Sequence, residues 1–224
     1  MLTEQDILSG RTIHVAMHDY EVDSLCSFIK LSYKYWKASD VTEIFEEEWL
    51  KTAKTIVSLW QLEQDHHNSN YTYPILDNQG KGIPVCHTGM TWSAMRPSDD
   101  ACQFNYLIPA NMFAVVTLNY LSEIVKTFYH DEADFLLQIA RLKDEIDLGI
   151  HTHGVVTFDD KQIYAYETNG CGRHILMDDS NVPSLLSIPY TEYVTPFDTN
   201  GQIALNSLLL AKTTRTSIRA IFMG

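Results

Sequence analysis

Basic residues are scarce in this chain: 16 Lys and Arg stand against 29 Asp and Glu, leaving a formal net charge of −13. A surface of that sign repels phosphate backbones and anionic headgroups, which argues against nucleic acid and membrane surfaces as partners. Cysteine is scarcer still, with Cys26, Cys86, Cys102 and Cys171 far apart and no C-x-x-C pair. That excludes a small disulfide-stapled scaffold, and free thiols in a reducing cytoplasm are expected. The first residues, Met1 to Asp6, have neither the basic region nor the apolar stretch of an export leader. No later run reads as long enough to span a bilayer, so the expectation is a cytoplasmic protein.

What is present is core material. Hydrophobic residues make up 45% of the chain and aromatics 11%, a composition that folds globularly. A length of 224 residues suits one large core or part of a bigger one. Val22, Leu25, Ile29, Tyr33 and Trp36 recur at helical spacing and predict a helix over 22–38. Asp40-Val41-Thr42-Glu43 has the form of a capping box opening a second, half-wet helix whose stripe runs Val41, Ile44, Phe45, Trp49, Ala53, Val57 and Trp60. Residues 63–100 show no sustained period, which in a compact domain points to a functional connection. Pro109 starts a helix that is apolar nearly all round, from Met112 to Val125, and must be buried on most sides. Asp131 to Ile150 is amphipathic again, with His151 and His153 as partners of its C-terminal dipole. Val155–Phe158 and Ile163–Glu167 flank Asp159 to Gln162 as a hairpin, and Asn181 leads into a further helix carrying Pro183, Leu185, Leu186 and Ile188. Alternating buried and half-wet helices predict concentric layers, an all-α (α/α) toroid of which about half is represented, with a small β excursion.

Acidic pairs stand immediately before each of the three inner helices: Glu21 and Asp23, Asp99 and Asp100, Asp178 and Asp179. Parallel inner helices would bring all three to one mouth. For any single pair the ordinary reading is a helix N-cap. Clustered carboxylates also repel one another and can hold a proton near neutral pH, while helix dipoles oppose that. Around the middle pair lie Trp92, Arg96, Ser98, Asn105, Tyr106 and Asn111. An aromatic face with amides, hydroxyls and an arginine suits a sugar ring, although a lone Trp92 is more often core. His66, His67, Cys86 and His87 have no ligand spacing, so no metal is expected, and the histidines read as surface or loop residues. A magnesium diphosphate site at the aspartate pairs lacks the accompanying basic cluster, and Gly170-Cys171-Gly172 reads as a turn.

The segment Thr88-Gly89-Met90-Thr91-Trp92-Ser93, with Arg96-Pro97-Ser98-Asp99-Asp100 and Leu107 to Ala114, closely resembles the glycoside hydrolase family 125 α-mannosidases. Shorter similarities at Tyr20 to Cys26, Trp60 to His66, Asp144 to Ile146, Tyr164 to Glu167 and Met177 to Leu186 extend it over about 20–193, whereas 200–224 looks divergent. The resemblance implies an (α/α)6 barrel and a bacterial enzyme that needs no metal or other cofactor. The implied reaction removes terminal α-1,6-linked mannose, with inversion, from an α-mannoside or N-glycan-derived oligosaccharide. It implies an aspartate general acid at Asp99 or Asp100, with Trp92, Arg96, Ser98, Asn111, Asp178, Asp179 and Asn181 as substrate-binding residues. The family's expected glutamate base and its Trp-Leu-Arg-Asp motif have no counterpart here. The chain is therefore read as a central fragment, inactive or weak alone, with barrel edges open to self-association. A mannose-binding remnant or another (α/α)-barrel sugar enzyme, such as an epimerase, are the competing readings.

Overall fold

A computed structural model describes residues 19–193 and 203–207. Four long helices dominate: α1 (Val22–Ser39), α2 (Glu47–Glu63), α3 (Ile108–Phe128) and α4 (Ala133–His153). α3 packs against α1 on one side and α4 on the other, and α2 packs on α4. The inner helices α1 and α3 run in the same direction. Along them Tyr33 stacks on Tyr120 at 4.2 Å, and both Tyr33 and Lys37 reach Glu123. The expected alternation of inner and outer helices is therefore observed.

Fifteen of the 21 residues of α3 are buried, as its all-round apolar pattern requires. Each fully buried Leu, Ile or Val among them adds roughly 1.5–3 kcal/mol of transfer free energy. By length and hydropathy α3 would also cross a membrane, contrary to the expectation that no stretch is long enough. Protein, supplied by α1 and α4, is what covers it. α1 is less enclosed than its inner position predicts: Leu31 is 72% exposed, and Leu25 and Phe28 share an open apolar groove with Ile56 and Leu59 of α2.

The capping box expected at Asp40 is not formed. Asp40 has φ 57° and closes α1, its N–H donating to the Trp36 carbonyl. Aspartate suits both helix ends, and the left-handed cap prevails. α2 consequently starts at Glu47, and Phe45 lies in the connection, its ring 5.0 Å from Trp49 and 4.5 Å from Phe128.

β2 (Val155–Phe158) and β3 (Lys161–Tyr164) form the predicted hairpin with a tighter turn than expected. Only Asp159 and Asp160 lie outside the strands, both at positive φ as a two-residue hairpin turn demands. β1 (Tyr106–Leu107), β4 (Glu167–Thr168) and β5 (His174–Ile175) make a second antiparallel sheet in the order β1-β4-β5. The helix expected from Asn181 begins later. Ser184 and Ser187 cap each other reciprocally, a 3-10 turn covers Leu185–Ser187, and one helical turn follows over Ile188–Thr191. Tyr120 and Lys34 both bond Glu192, so this third inner segment lies beside α1 and α3 in the same sense. Residues 203–207 form a helical turn that ties Ser207 to the Tyr164 amide. The tail cations Lys212, Arg215 and Arg219 lie outside the described residues.

Two thiols are not free, which corrects the expectation from cysteine spacing: Cys86 and Cys171 are joined by a disulfide, while Cys26 and Cys102 are free and buried. The Cys86 amide donates to the Asn169 carbonyl, bringing the two segments side by side. Gly170 permits the approach, since a Cβ there would sit 2.5 Å from the Cys86 carbonyl oxygen.

Candidate active site

The parallel inner helices point their N-termini at one mouth, and the Arg96–Asp100 segment stands there as a hairpin. A bridge between Met95 and Ala101 closes it. The Asp99 amide donates to the Arg96 carbonyl at 3.0 Å, and the Arg96 amide to the Asp100 carbonyl at 2.8 Å. Pro97 supplies the fixed φ of the turn's second position, and Asp99 takes the left-handed conformation at φ 62° that ends such a loop. Both aspartates are exposed at the tip.

The other two acidic pairs converge on this tip. Tyr20, one residue before Glu21, accepts backbone hydrogen bonds from Ala94 and Met95, which sets the start of α1 against the base of the hairpin. Burial raises the Glu21 carboxyl above the usual range, and the negative charges of Asp99 and Asp19 add to this. Asp23, in the first turn of α1, is pushed up to about 7, chiefly by burial and further by Glu21. On the opposite flank, Ser98 donates to Asp100 at 3.2 Å and also bonds Asp179. Asn181 Nδ2 holds the Pro97 carbonyl at 2.9 Å, and the Tyr166 hydroxyl donates to Asp179 at 3.3 Å. Burial acts to raise the Asp179 carboxyl, but hydrogen bonds from Asn181, Ser98, Ser180 and Tyr166 outweigh it and hold it low. The mouth thus carries carboxyl groups pushed in opposite directions, the arrangement from which acid and base roles are drawn.

Three expected substrate contacts are placed elsewhere. Trp92 is fully buried, stacked on His66 at 3.6 Å and on Tyr20 at 6.3 Å, so neither face is open to a sugar. His66, expected as a surface or loop residue, is buried there in a short turn with its Nδ1 2.5 Å from Glu63. Asn111 is also buried: its Oδ1 accepts from the Thr91 amide and its Nδ2 donates to the Thr91 and Leu107 carbonyls. That side chain clips the Thr88–Ser93 segment onto α3 and, fully buried with both its donors used, is out of a ligand's reach. Asp178 accepts from the amides of Leu185 and Leu186 and so adds, from seven residues upstream, to the capping of the third inner segment by Ser184, although burial raises its carboxyl. Arg96, Ser98, Asp99, Asp100, Asp179 and Asn181 are the expected residues that the structure brings together.

Glu167 and Tyr166 were not among them. Glu167 is wholly buried on β4; its carboxylate receives Arg96 Nε at 2.5 Å and the amides of Gln103 and Phe104 at 2.8 Å each. The pairing raises Arg96 further above its ordinary range, although burial acts against it. The signal in the sequence was an acid ending the run Ile163 to Tyr166, since a buried carboxylate needs partners. Gly170 to Gly172 forms the expected turn, with Asn169 Oδ1 accepting the Cys171 and Arg173 amides. Among the described residues no group of three or more His, Cys, Asp and Glu side chains is arranged to hold a metal ion.

Comparison with known proteins agrees with this architecture. Residues 4–218 match the family described as metal-independent alpha-mannosidase (GH125), further at both ends than the motifs alone reach. The Meiotically up-regulated gene 157 protein of Schizosaccharomyces pombe (strain 972 / ATCC 24843) is 37% identical over 194 residues, covering 78% of this chain and 38% of that protein. A Streptococcus pneumoniae metal-independent α-mannosidase, solved in a non-productive complex with α-1,6-mannobiose, superposes with a TM-score of 0.86 at 40% identity, covering 90% of this chain and 49% of that one. The chain thus spans half or less of the length of these relatives, and its largely helical fold is that of the corresponding part of their (α/α)6 barrel. On this fold and this match, the chain belongs to the GH125 family of metal-independent α-mannosidases.

Proposed function

We propose that this chain supplies the acid side of an inverting exo-α-1,6-mannosidase site, acting on terminal α-1,6-linked mannose of N-glycan-derived oligosaccharides. The observation that carries the reading is the hairpin tip, where Asp99 and Asp100 stand exposed between Glu21 and Asp179. In the inverting reaction one carboxylic acid protonates the departing glycosidic oxygen. A carboxylate about 6.5–9.5 Å away activates water on the opposite face of the sugar. Asp99 or Asp100 serves as the acid. We assign the base, by family resemblance a glutamate, to the part of the relatives that this chain does not span. The bound α-1,6-mannobiose of the Streptococcus pneumoniae relative supports the substrate class.

The test is incubation of the purified chain with α-1,6-mannobiose, followed by proton NMR of both sugar and protein. Binding at the hairpin without release of mannose is expected of the acid side alone. Release of β-mannose that disappears in either Asp99→Asn or Asp100→Asn would extend the assignment to catalysis by this chain itself and name the acid. Neither binding nor release, or release that both variants retain in full, refutes it. A mannose-binding remnant is the second reading, favoured by the chain's spanning 49% of the matched structure. Binding that is insensitive to both substitutions would select it.

A further inference from the structure

We propose that Glu167 is a positioning residue for the Asp99–Asp100 pair, fixing the hairpin through Arg96 on one arm and through the chain that leaves the other. The proposal rests on the reading of that pair as the acid side of a mannosidase site. Glu167 is centred in its sheet, opposite Leu107 on one side and Ile175 on the other, yet its carboxylate bonds to the hairpin and its exit. Oε1 takes the Arg96 guanidinium at 2.5 Å, and Oε2 takes the Gln103 and Phe104 amides at 2.8 Å. Arg96 begins the loop whose tip is Asp99, and its own amide holds the Asp100 carbonyl. Holding the guanidinium and the exit chain therefore leaves the tip little freedom to tilt. The neighbouring Tyr166 extends the same strand's reach: its ring lies under the Arg96 guanidinium at 5.7 Å and its hydroxyl bonds Asp179.

The chemistry of the carboxylate matters here. All three surrounding groups are donors, and only an ionised acid offers two acceptor oxygens. Glutamine presents one oxygen and one NH2, so it must turn a donor toward either Arg96 or the two amides. An apolar side chain would leave the guanidinium and both amides without partners in a buried site. Displacement of a reacting group by about 1 Å is enough to cost about a hundred-fold in rate, which is why such a clamp bears on function.

The test uses the full chain with Glu167→Gln and Glu167→Asp, read by amide hydrogen exchange resolved to single residues. In Glu167→Gln, protection of the Arg96 and Asp99 amides is expected to fall by about ten-fold or more, with Leu118 and Leu121 in α3 unchanged. Glu167→Asp, which keeps both acceptor oxygens, is expected to restore part of that protection. Should Glu167→Gln fail to fold, Glu167→Asp alone decides, through deprotection confined to the hairpin. Wild-type protection at Arg96 and Asp99 in a folded variant, or loss spread evenly over α3, overturns the proposal. In any preparation that hydrolyses α-1,6-mannobiose, kcat should fall by about ten-fold or more while KM stays within about two-fold. If the wild-type chain neither binds nor cleaves the sugar, the mannosidase reading fails, while the exchange experiment still decides the clamp.

Discussion

Reducing the Cys86–Cys171 disulfide should cost this chain a large part of its stability, and the size follows from the loop it closes. The sequence separation is 85 residues. Taking that as the loop length, cross-linking lowers the entropy of the unfolded chain by about 15 cal/mol/K, or about 4.6 kcal/mol at 25 °C. For a chain of this size each kcal/mol moves the melting temperature by about 2–4 °C, so the loss corresponds to about 9–18 °C. Native-state contacts made by the turn at Asn169 to Gly172 survive reduction, because they are backbone and amide hydrogen bonds rather than consequences of the sulfur bridge. The effect therefore acts chiefly through the unfolded ensemble. Thermal melts with and without reductant measure it directly, since both sulfur-bearing residues are exposed and accessible. The double variant Cys86→Ser/Cys171→Ser should melt at the reduced temperature in both buffers. Thiol titration of the denatured, unreduced chain should find two free thiols, those of Cys26 and Cys102. Four reactive thiols, or melts that coincide with and without reductant, would refute the reasoning.

Two further outcomes are expected. The Asp23 carboxyl is raised to about 7 in the folded chain from 3.8. The folded state thus holds a proton that the unfolded chain releases, and stability declines as pH rises from about 4 to about 7 and then levels. Asp23→Asn should remove that slope, so that its stability relative to the wild type is greater at pH 8 than at pH 4 by about 2–4 kcal/mol, read from urea melts of both proteins at the two pH values; an unchanged slope would sink the assignment. Trp92→Ala should destabilise by about 3–5 kcal/mol as a core cavity, yet leave the mannobiose affinity of the folded fraction unaltered. A selective loss of sugar binding at full stability would return Trp92 to the site.

The helical layers were legible because burial writes itself into periodicity. α3 is apolar around most of its circumference and is covered on most sides. α1 shows where that logic weakens: its stripe matches an inner helix, but Leu31 lies outside any cover the described residues provide. Asp40 ends α1 instead of opening α2 because the same side chain favours a helix start and a left-handed helix end, and only the path of the chain chooses. The convergence of the three acidic pairs was legible as soon as the inner helices were taken as parallel. What each member does was not. Asp178 spends its oxygens on two amides while Asp179, next to it, faces Ser98 and Tyr166. Trp92 looked like a sugar platform among polar neighbours, but the rings that cover it come from Tyr20 and His66, remote segments that no local pattern pairs with it. The Cys86–Cys171 bond likewise joins two loops 85 residues apart in the chain, where spacing carries no signal.

The left-handed backbone at Asp99 bears on how the hairpin can be interrogated. Asparagine and aspartate tolerate that conformation well, whereas alanine is disfavoured there by about 1 kcal/mol. Among the four tip residues from Pro97 to Asp100, Asp99 alone has positive φ. An alanine scan would therefore report chemistry at Asp100 but a mixture of chemistry and altered loop shape at Asp99, and would exaggerate the latter. Amide replacement treats the two carboxylates evenly, so a comparison of Asp99→Asn with Asp100→Asn can be read as a comparison of acids.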